Sequence, residues 1–264
     1  MTEAHSDGLR IDYDDAGHGE PALLFLPGWC SSRAKYAALA RQMSRARRVL
    51  VLDWRGHGRS ERPKTDFGEE ELVRDALAVI SSSGVRQVVP VSTAHAGWVG
   101  IELRRRLSAR VPKLVLLDWI VLDPPAPFIA ALTALQDRDL WQATRDRLFQ
   151  MWLEGVGDRR VVRFVQEDMG SYSAEMWARA GREIAASYSR NGNPLKALAA
   201  LEQPPSTLHL YAQPDDLGFL EAQEAFATGH PWFQVSKLEA RSHFPSIEVP
   251  DQVERAIERF LSAA

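Results

Sequence analysis

Residues 88–98, Val-Val-Pro-Val-Ser-Thr-Ala-His-Ala-Gly-Trp, constrain the fold more than any other stretch of the chain. An apolar run breaks into small residues and apolar positions then resume at helical spacing, which predicts a strand, a sharp turn and a helix. Ser92 and Gly97 flank the turn with little side-chain volume, so strand and helix can approach closely. At the apex stands Ala94, whose methyl group cannot attack a carbonyl.

The rest of the chain repeats the strand-to-helix alternation around this stretch. Leu9 to Tyr13 alternates like a half-buried strand, residues 14–20 are rich in turn formers, and Pro21 to Leu26 is a continuous apolar run of the kind that forms a fully buried strand. Tyr36 to Met43 has helical composition, Arg48 to Leu52 is a second buried strand, and Phe67 to Ile80 has helical spacing. After the helix Trp98 to Leu107 comes the strand Lys113 to Leu117, which ends at Asp118. This order predicts an α/β fold, a mostly parallel central sheet with helices on both faces. From Phe128 to about Arg190 no strand pattern is found, and Trp141, Trp152 and Trp177 sit among helical residues. That segment predicts an inserted helical cap, 124–194, on a core domain made of 1–123 and 195–264. Strands resume at Thr207 to Tyr211 and Phe233 to Leu238, and Val253 to Leu261 has the spacing of an amphipathic C-terminal helix.

With 264 residues and 45% hydrophobic content, the chain can bury one sizeable core. Its net charge of -3 arises from 32 basic and 35 acidic residues mixed along the sequence, which leaves no basic footprint for nucleic acid. The clusters Arg45–Arg48 and Arg104–Arg106 read as solvated helix faces or ends. One cysteine, Cys30, excludes an intrachain disulfide and a multi-cysteine metal site. No apolar run approaches the ~20 residues that cross a bilayer, and Met1 to Arg10 lacks the pattern of a signal peptide, so a cytoplasmic location is expected.

The loops that follow the strands gather at the carboxyl edge of the sheet, where open α/β folds place ligand sites. Gly28-Trp29 and His95 reach that edge with backbone N–H groups suited to an oxyanion hole, Asp118 ends a strand, and His243, beside the small polar Ser242, follows the last strand. Elbow, acid and histidine occur in the chain order of α/β-hydrolases, whose nucleophile sits on a G-x-S-x-G elbow. Asp215 and Asp216 compete with Asp118 for the acid's place. The other histidines show no metal-ligand spacing, and His57, between Gly56 and Gly58, is expected to serve its own turn.

Over its whole length the chain resembles the α/β-hydrolase-fold superfamily, and within it the cofactor-free 2,4-dioxygenases of 3-hydroxy-4-quinolones. The resemblance is carried by Leu26-Pro-Gly-Trp-Cys30, Trp54-Arg-Gly-His-Gly58, Pro90-Val-Ser92 with His95-Ala-Gly-Trp98, Asp118-Trp119, Trp152-Leu-Glu-Gly155, Arg190-Asn-Gly192, His230-Pro-Trp-Phe233 and His243-Phe-Pro245. The turn 55–58 marks the fold alone, whereas the stretches around Trp29, Trp119 and Trp232 point to the narrower family. Ala94 departs from it, since family members carry serine there.

The resemblance implies ring cleavage of 1H-3-hydroxy-4-oxoquinoline by O2 to N-formylanthranilate and carbon monoxide, with no cofactor and no metal. It implies His243 as general base and Asp118 as its partner, with Trp29, His95 and the Ala94 position forming the oxyanion and dioxygen site. Trp29, Cys30, His95 and Trp152 are the expected substrate contacts, although a lone cysteine beside a tight turn also reads as packing material. A small molecule is the expected partner, with no nucleic acid and no membrane, and the chain is expected to be a monomer. Two alternatives remain at this stage: an esterase or lactonase whose serine has been replaced by Ala94, and a non-catalytic small-molecule-binding homologue.

Overall fold

A computed structural model describes residues 2–263. Eight strands form one sheet in the order β1-β2-β4-β3-β5-β6-β7-β8. They are β1 Thr2–Ser6, β2 Leu9–Ala16, β3 Ala22–Leu26, β4 Val49–Leu52, β5 Val88–Thr93, β6 Lys113–Leu117, β7 Ser206–Tyr211 and β8 Phe233–Lys237. The pairs β1–β2 and β2–β4 are antiparallel and all the others parallel.

The continuous apolar runs become strands because both sheet faces are covered. Leu23, Phe25, Val49, Val51, Val89, Val91, Val115, Leu117, Leu208 and Leu210 point to one face, where helices α1 Ala37–Met43 and α11 Pro250–Ser262 lie. Along α11, Val253, Ala256, Ile257 and Phe260 recur at helical spacing and are buried there. Leu24, Leu26, Leu50, Leu52, Leu114 and Leu116 point to the other face, against α2 Glu69–Ser83 and α3 Ala96–Leu107.

The helices between β6 and β7 are α4 Ala126–Ala134, α5 Trp141–Leu153, α6 Arg159–Arg163, α7 Ala174–Asn191 and α8 Pro194–Ala199. No strand forms there among the described residues. Helices α9 Leu217–Gly229 and α10 Pro245–Glu248 complete the set.

Two differences from the sequence expectation have physical causes. Strand β1 was not expected, because its residues are mostly polar and exposed; Asp7-Gly8, at φ 51° and 79°, makes the tight hairpin that pairs it with β2. Strand β2 runs on through Asp14 and Asp15, expected as turn, because their backbones pair with Val51 and Leu50 while Arg33 and Arg48 bind their carboxylates. The basic clusters are also more engaged than solvated faces would be: Arg47 pairs with Glu258, Arg106 with Glu70 and Glu102, and Arg104 donates to the Gln203 and Val111 carbonyls.

The close approach expected at Gly97 is real, since a Cβ there would lie 2.1 Å from the Trp119 ring. Gly97→Ala is expected to push Trp119 aside and to cost about 1–3 kcal/mol, as overpacking of a filled core does. Chemical denaturation of the variant measures this directly; a midpoint equal to the parent's would contradict it.

Candidate active site

The elbow forms as a turn from β5 to α3, with Ala94 at φ 48°. Left-handed backbone is unfavourable for a residue with a Cβ, so the local fold pays for a shape whose usual use is to project a side chain. The Ala94 amide donates to the Leu117 carbonyl at 2.8 Å, which ties the elbow to the end of β6. The amide of His95 and the amide of Trp29 have no acceptor among the described residues.

Trp29 follows β3, and its loop is fixed from the neighbouring 53–60 turn. The Trp54 indole donates to the Pro27 carbonyl at 2.6 Å, and the Cys30 amide donates to His57 Nε2 at 3.2 Å. His57 Nδ1 lies 2.9 Å from the Arg55 carbonyl, which assigns the proton to Nδ1. Burial lowers His57 to about 4, so it stays neutral and acts as a strut between the loops, the turn role expected for it. Cys30 stands at φ 53° with its side chain fully buried in the core, and burial pushes its thiol well up. It is packed and unreactive. Trp29 stacks on Phe67, with ring centres 5.8 Å apart.

Asp118 is fully buried at the end of β6, at φ 49°. Its Oδ1 accepts the amides of Ala212 and Gln213 at 3.2 and 3.0 Å, whereas Oδ2 has no hydrogen-bond partner among the described residues. That oxygen faces His243 Nδ1 at 3.7 Å, too long for a hydrogen bond and short enough that a small ring movement would make one. The competing acids are engaged elsewhere: Asp215 pairs with Lys237, and Asp216 caps α9 through the Phe219 amide. The structure thus brings Asp118, and not Asp215 or Asp216, to His243.

The His243 loop is held by groups the sequence did not single out. Glu248 accepts the amides of Arg241 and Ser242, at 3.0 and 2.8 Å. Gln213 spans the two halves of the pair, its amide on Asp118 and its side chain donating to the Arg241 carbonyl at 2.8 Å. Trp152, from α5, stacks on His243 with ring centres 5.6 Å apart and planes 18° apart. Burial lowers His243 to about 3, assisted by the charge of Lys35, and raises Asp118 to about 7 against the pull of its two amide donors and Lys35. At neutral pH the imidazole is neutral and able to accept a proton.

His95 lies in an aromatic nest. Phe128 stacks on it at 5.6 Å, Tyr188 meets it edge-on, and the Trp119 indole donates to its Nδ1 at 3.2 Å. This assigns the His95 proton to Nε2, and burial, then the charge of His243, lowers its basicity to about 3. Trp119, Tyr188 and Phe128 were not marked as site residues from the sequence, since stacking between β6, α4 and α7 leaves no local pattern. Among the described residues no group of three or more His, Cys, Asp or Glu could hold a metal, and no helix is long and apolar enough to cross a membrane. Two surface cavities, of about 320 and 190 Å³, lie along α2 and α7; of the site residues above, only Phe67 lines one of them.

The arrangement is a buried carboxylate facing a histidine, two unpaired loop amides and a methyl group on the strained elbow. Residues 23–256 match the alpha/beta hydrolase family. The chain is 37% identical to the 2-heptyl-3-hydroxy-4(1H)-quinolone dioxygenase of Mycobacteroides abscessus, over 96% of this chain and 95% of that one. It is 36% identical to the 1H-3-hydroxy-4-oxoquinoline 2,4-dioxygenase of Pseudomonas putida over the full length of both. A solved structure of AqDC, described as ring-cleavage of the Pseudomonas quinolone signal and holding its product, superposes with a TM-score of 0.94 at 35% identity over all of both chains. The chain belongs to the alpha/beta hydrolase family and, within it, to the family of the 3-hydroxy-4-quinolone dioxygenases.

Proposed function

We propose that this protein is a cofactor-independent dioxygenase that opens the N-heteroaromatic ring of 1H-3-hydroxy-4-oxoquinoline with O2, giving N-formylanthranilate and carbon monoxide. The observation that carries the proposal is the His243–Asp118 pair beside a methyl-bearing elbow, the imidazole Nδ1 and the carboxylate Oδ2 lying 3.7 Å apart. A base without a nucleophile suits a reaction that begins with proton removal and continues on the substrate itself.

His243 takes the 3-hydroxyl proton and Asp118 stabilises the imidazolium. The resulting anion is electron-rich at C2 and transfers electrons to O2, forming a C2–O bond. The peroxide closes on C4; the O–O, C2–C3 and C3–C4 bonds break, and C3 leaves as carbon monoxide. Both oxygen atoms of O2 remain in the organic product. Free amides at Trp29 and His95 stabilise negative oxygen along this path. Trp29, His95 and Trp152 surround the flat substrate, the Cys30 side chain being packed in the core behind them, with residues 124–194 as the cap that keeps water from the peroxide. A monomer in the cytoplasm, acting on a small molecule, is consistent with this role.

An esterase needs a hydroxyl at position 94, whereas the dioxygenase does not. Ala94→Ser is therefore expected to change quinolone turnover by less than about tenfold and to create no esterase activity. Parallel assays on 3-hydroxy-4(1H)-quinolone and a p-nitrophenyl ester decide this: ester hydrolysis gained from a quinolone-inactive parent would replace the proposal with the hydrolase.

A further inference from the structure

Lys35 lies in the 3-10 turn Arg33–Tyr36, between the Trp29 loop and α1, and is only 4% exposed. Its ammonium sits 5.3, 5.9 and 5.5 Å from the ring centres of Tyr36, Phe164 and Phe244. Phe244 adjoins His243, and Phe164 comes from the segment after α6. Among the described residues Lys35 makes no contact ion pair; the carboxylates whose field it feels are Asp118 and Asp168. Asp168 is already occupied by the amide and hydroxyl of Ser32. Asp118 has an empty, buried Oδ2. The ring faces attract the ammonium, but they offset only part of the cost of burying an unpaired charge, a cost that methionine would avoid.

We propose that Lys35 is a positioning residue for the base pair: its caged ammonium favours the carboxylate form of Asp118 beside His243 and so widens the pH range in which the pair accepts a proton. This rests on the assignment of His243 and Asp118 as that pair. The other groups around the turn are committed. Arg33 is bound by Asp12, Asp14 and Asp53, Tyr36 donates to the Leu26 carbonyl, and Glu248 is bonded to the Arg241 and Ser242 amides.

The signs agree across the pair. The Lys35 charge lowers both Asp118 and His243, so removing it makes each take up a proton at higher pH, and either proton disables the pair. Burial brings Lys35 itself down to about 7, so its influence fades on the alkaline side.

The test is the pH dependence of kcat/KM for 3-hydroxy-4(1H)-quinolone in the parent, Lys35→Met and Lys35→Arg. The acid limb of Lys35→Met is expected to move up by about one pH unit, giving activity about tenfold below the parent's at about pH 6 and equal to it at about pH 9. Lys35→Arg should keep the parent's limb. A purely structural lysine would instead lower activity equally at every pH, and that result, or superimposable profiles, overturns the proposal. Lys35→Gln supplies the same comparison where Met disturbs folding. NMR titration of the His243 ring, assigned by its loss in His243→Ala, reads the coupling without turnover: its midpoint must rise in Lys35→Met. Absence of turnover in the parent would refute the dioxygenase assignment and leave the NMR test of Lys35 standing.

Discussion

His243→Ala is expected to lower kcat/KM for 3-hydroxy-4(1H)-quinolone by about 10²- to 10⁴-fold, the span that a positioned general base contributes. The ring is 22% exposed and its loop is held by Glu248, Ser242 and Gln213, so the fold should survive the loss. No other group is positioned to replace it. His95 has its Nδ1 engaged by the Trp119 indole, which leaves the ring proton on Nε2 and no free acceptor nitrogen. His57 uses both nitrogens as a strut. Binding should fall less than turnover, because Trp152 keeps its place in α5 and still offers a stacking face. Single-turnover absorbance measurements separate the two; near-parental turnover would remove His243 from the mechanism.

Asp118→Asn tests the other half of the pair and separates charge from shape. The asparagine carbonyl can accept the Ala212 and Gln213 amides as Oδ1 does now, leaving its NH2 facing His243 Nδ1. An N–H at that point forces the imidazole proton onto the nitrogen meant to receive the substrate's, and nothing stabilises the imidazolium. A loss of about 10²- to 10⁴-fold in kcat is expected from the wrong tautomer and the missing charge. Stability should change little, because relief of the buried, partnerless Oδ2 is offset by loss of the carboxylate charge that faces the Lys35 ammonium. Thermal unfolding should give a Tm close to the parent's. A lower Tm together with intact turnover would make Asp118 a structural residue.

The sheet was legible wherever burial on both faces produced continuous apolar runs: β3, β4, β5 and β6 fall within a residue or two of the expected places. Strand β1 was not, because Thr2–Ser6 is mostly polar and exposed, and Asp7-Gly8 is its one local hairpin signal. The elbow could be read because its small residues answer a local need. Of the site, the acid was ambiguous among three aspartates, and only the packing of β6 against β7 separates them, by turning the Ala212 and Gln213 amides onto Asp118. Lys35 left no signal. Its burial depends on Phe164 and Phe244, more than a hundred residues away in sequence. Gln213 and Glu248 escaped for the same reason: each acts through backbone groups of a loop that exists only in the folded protein.

The most direct measurement follows oxygen uptake and carbon monoxide release in one vessel after 3-hydroxy-4(1H)-quinolone is added to the protein in a strong metal chelator. Equimolar uptake and release, unchanged by the chelator, is the expected result for ring opening run by His243, Asp118 and the substrate's own electrons. No uptake, uptake without carbon monoxide, or activity lost to the chelator and restored by a metal would contradict it.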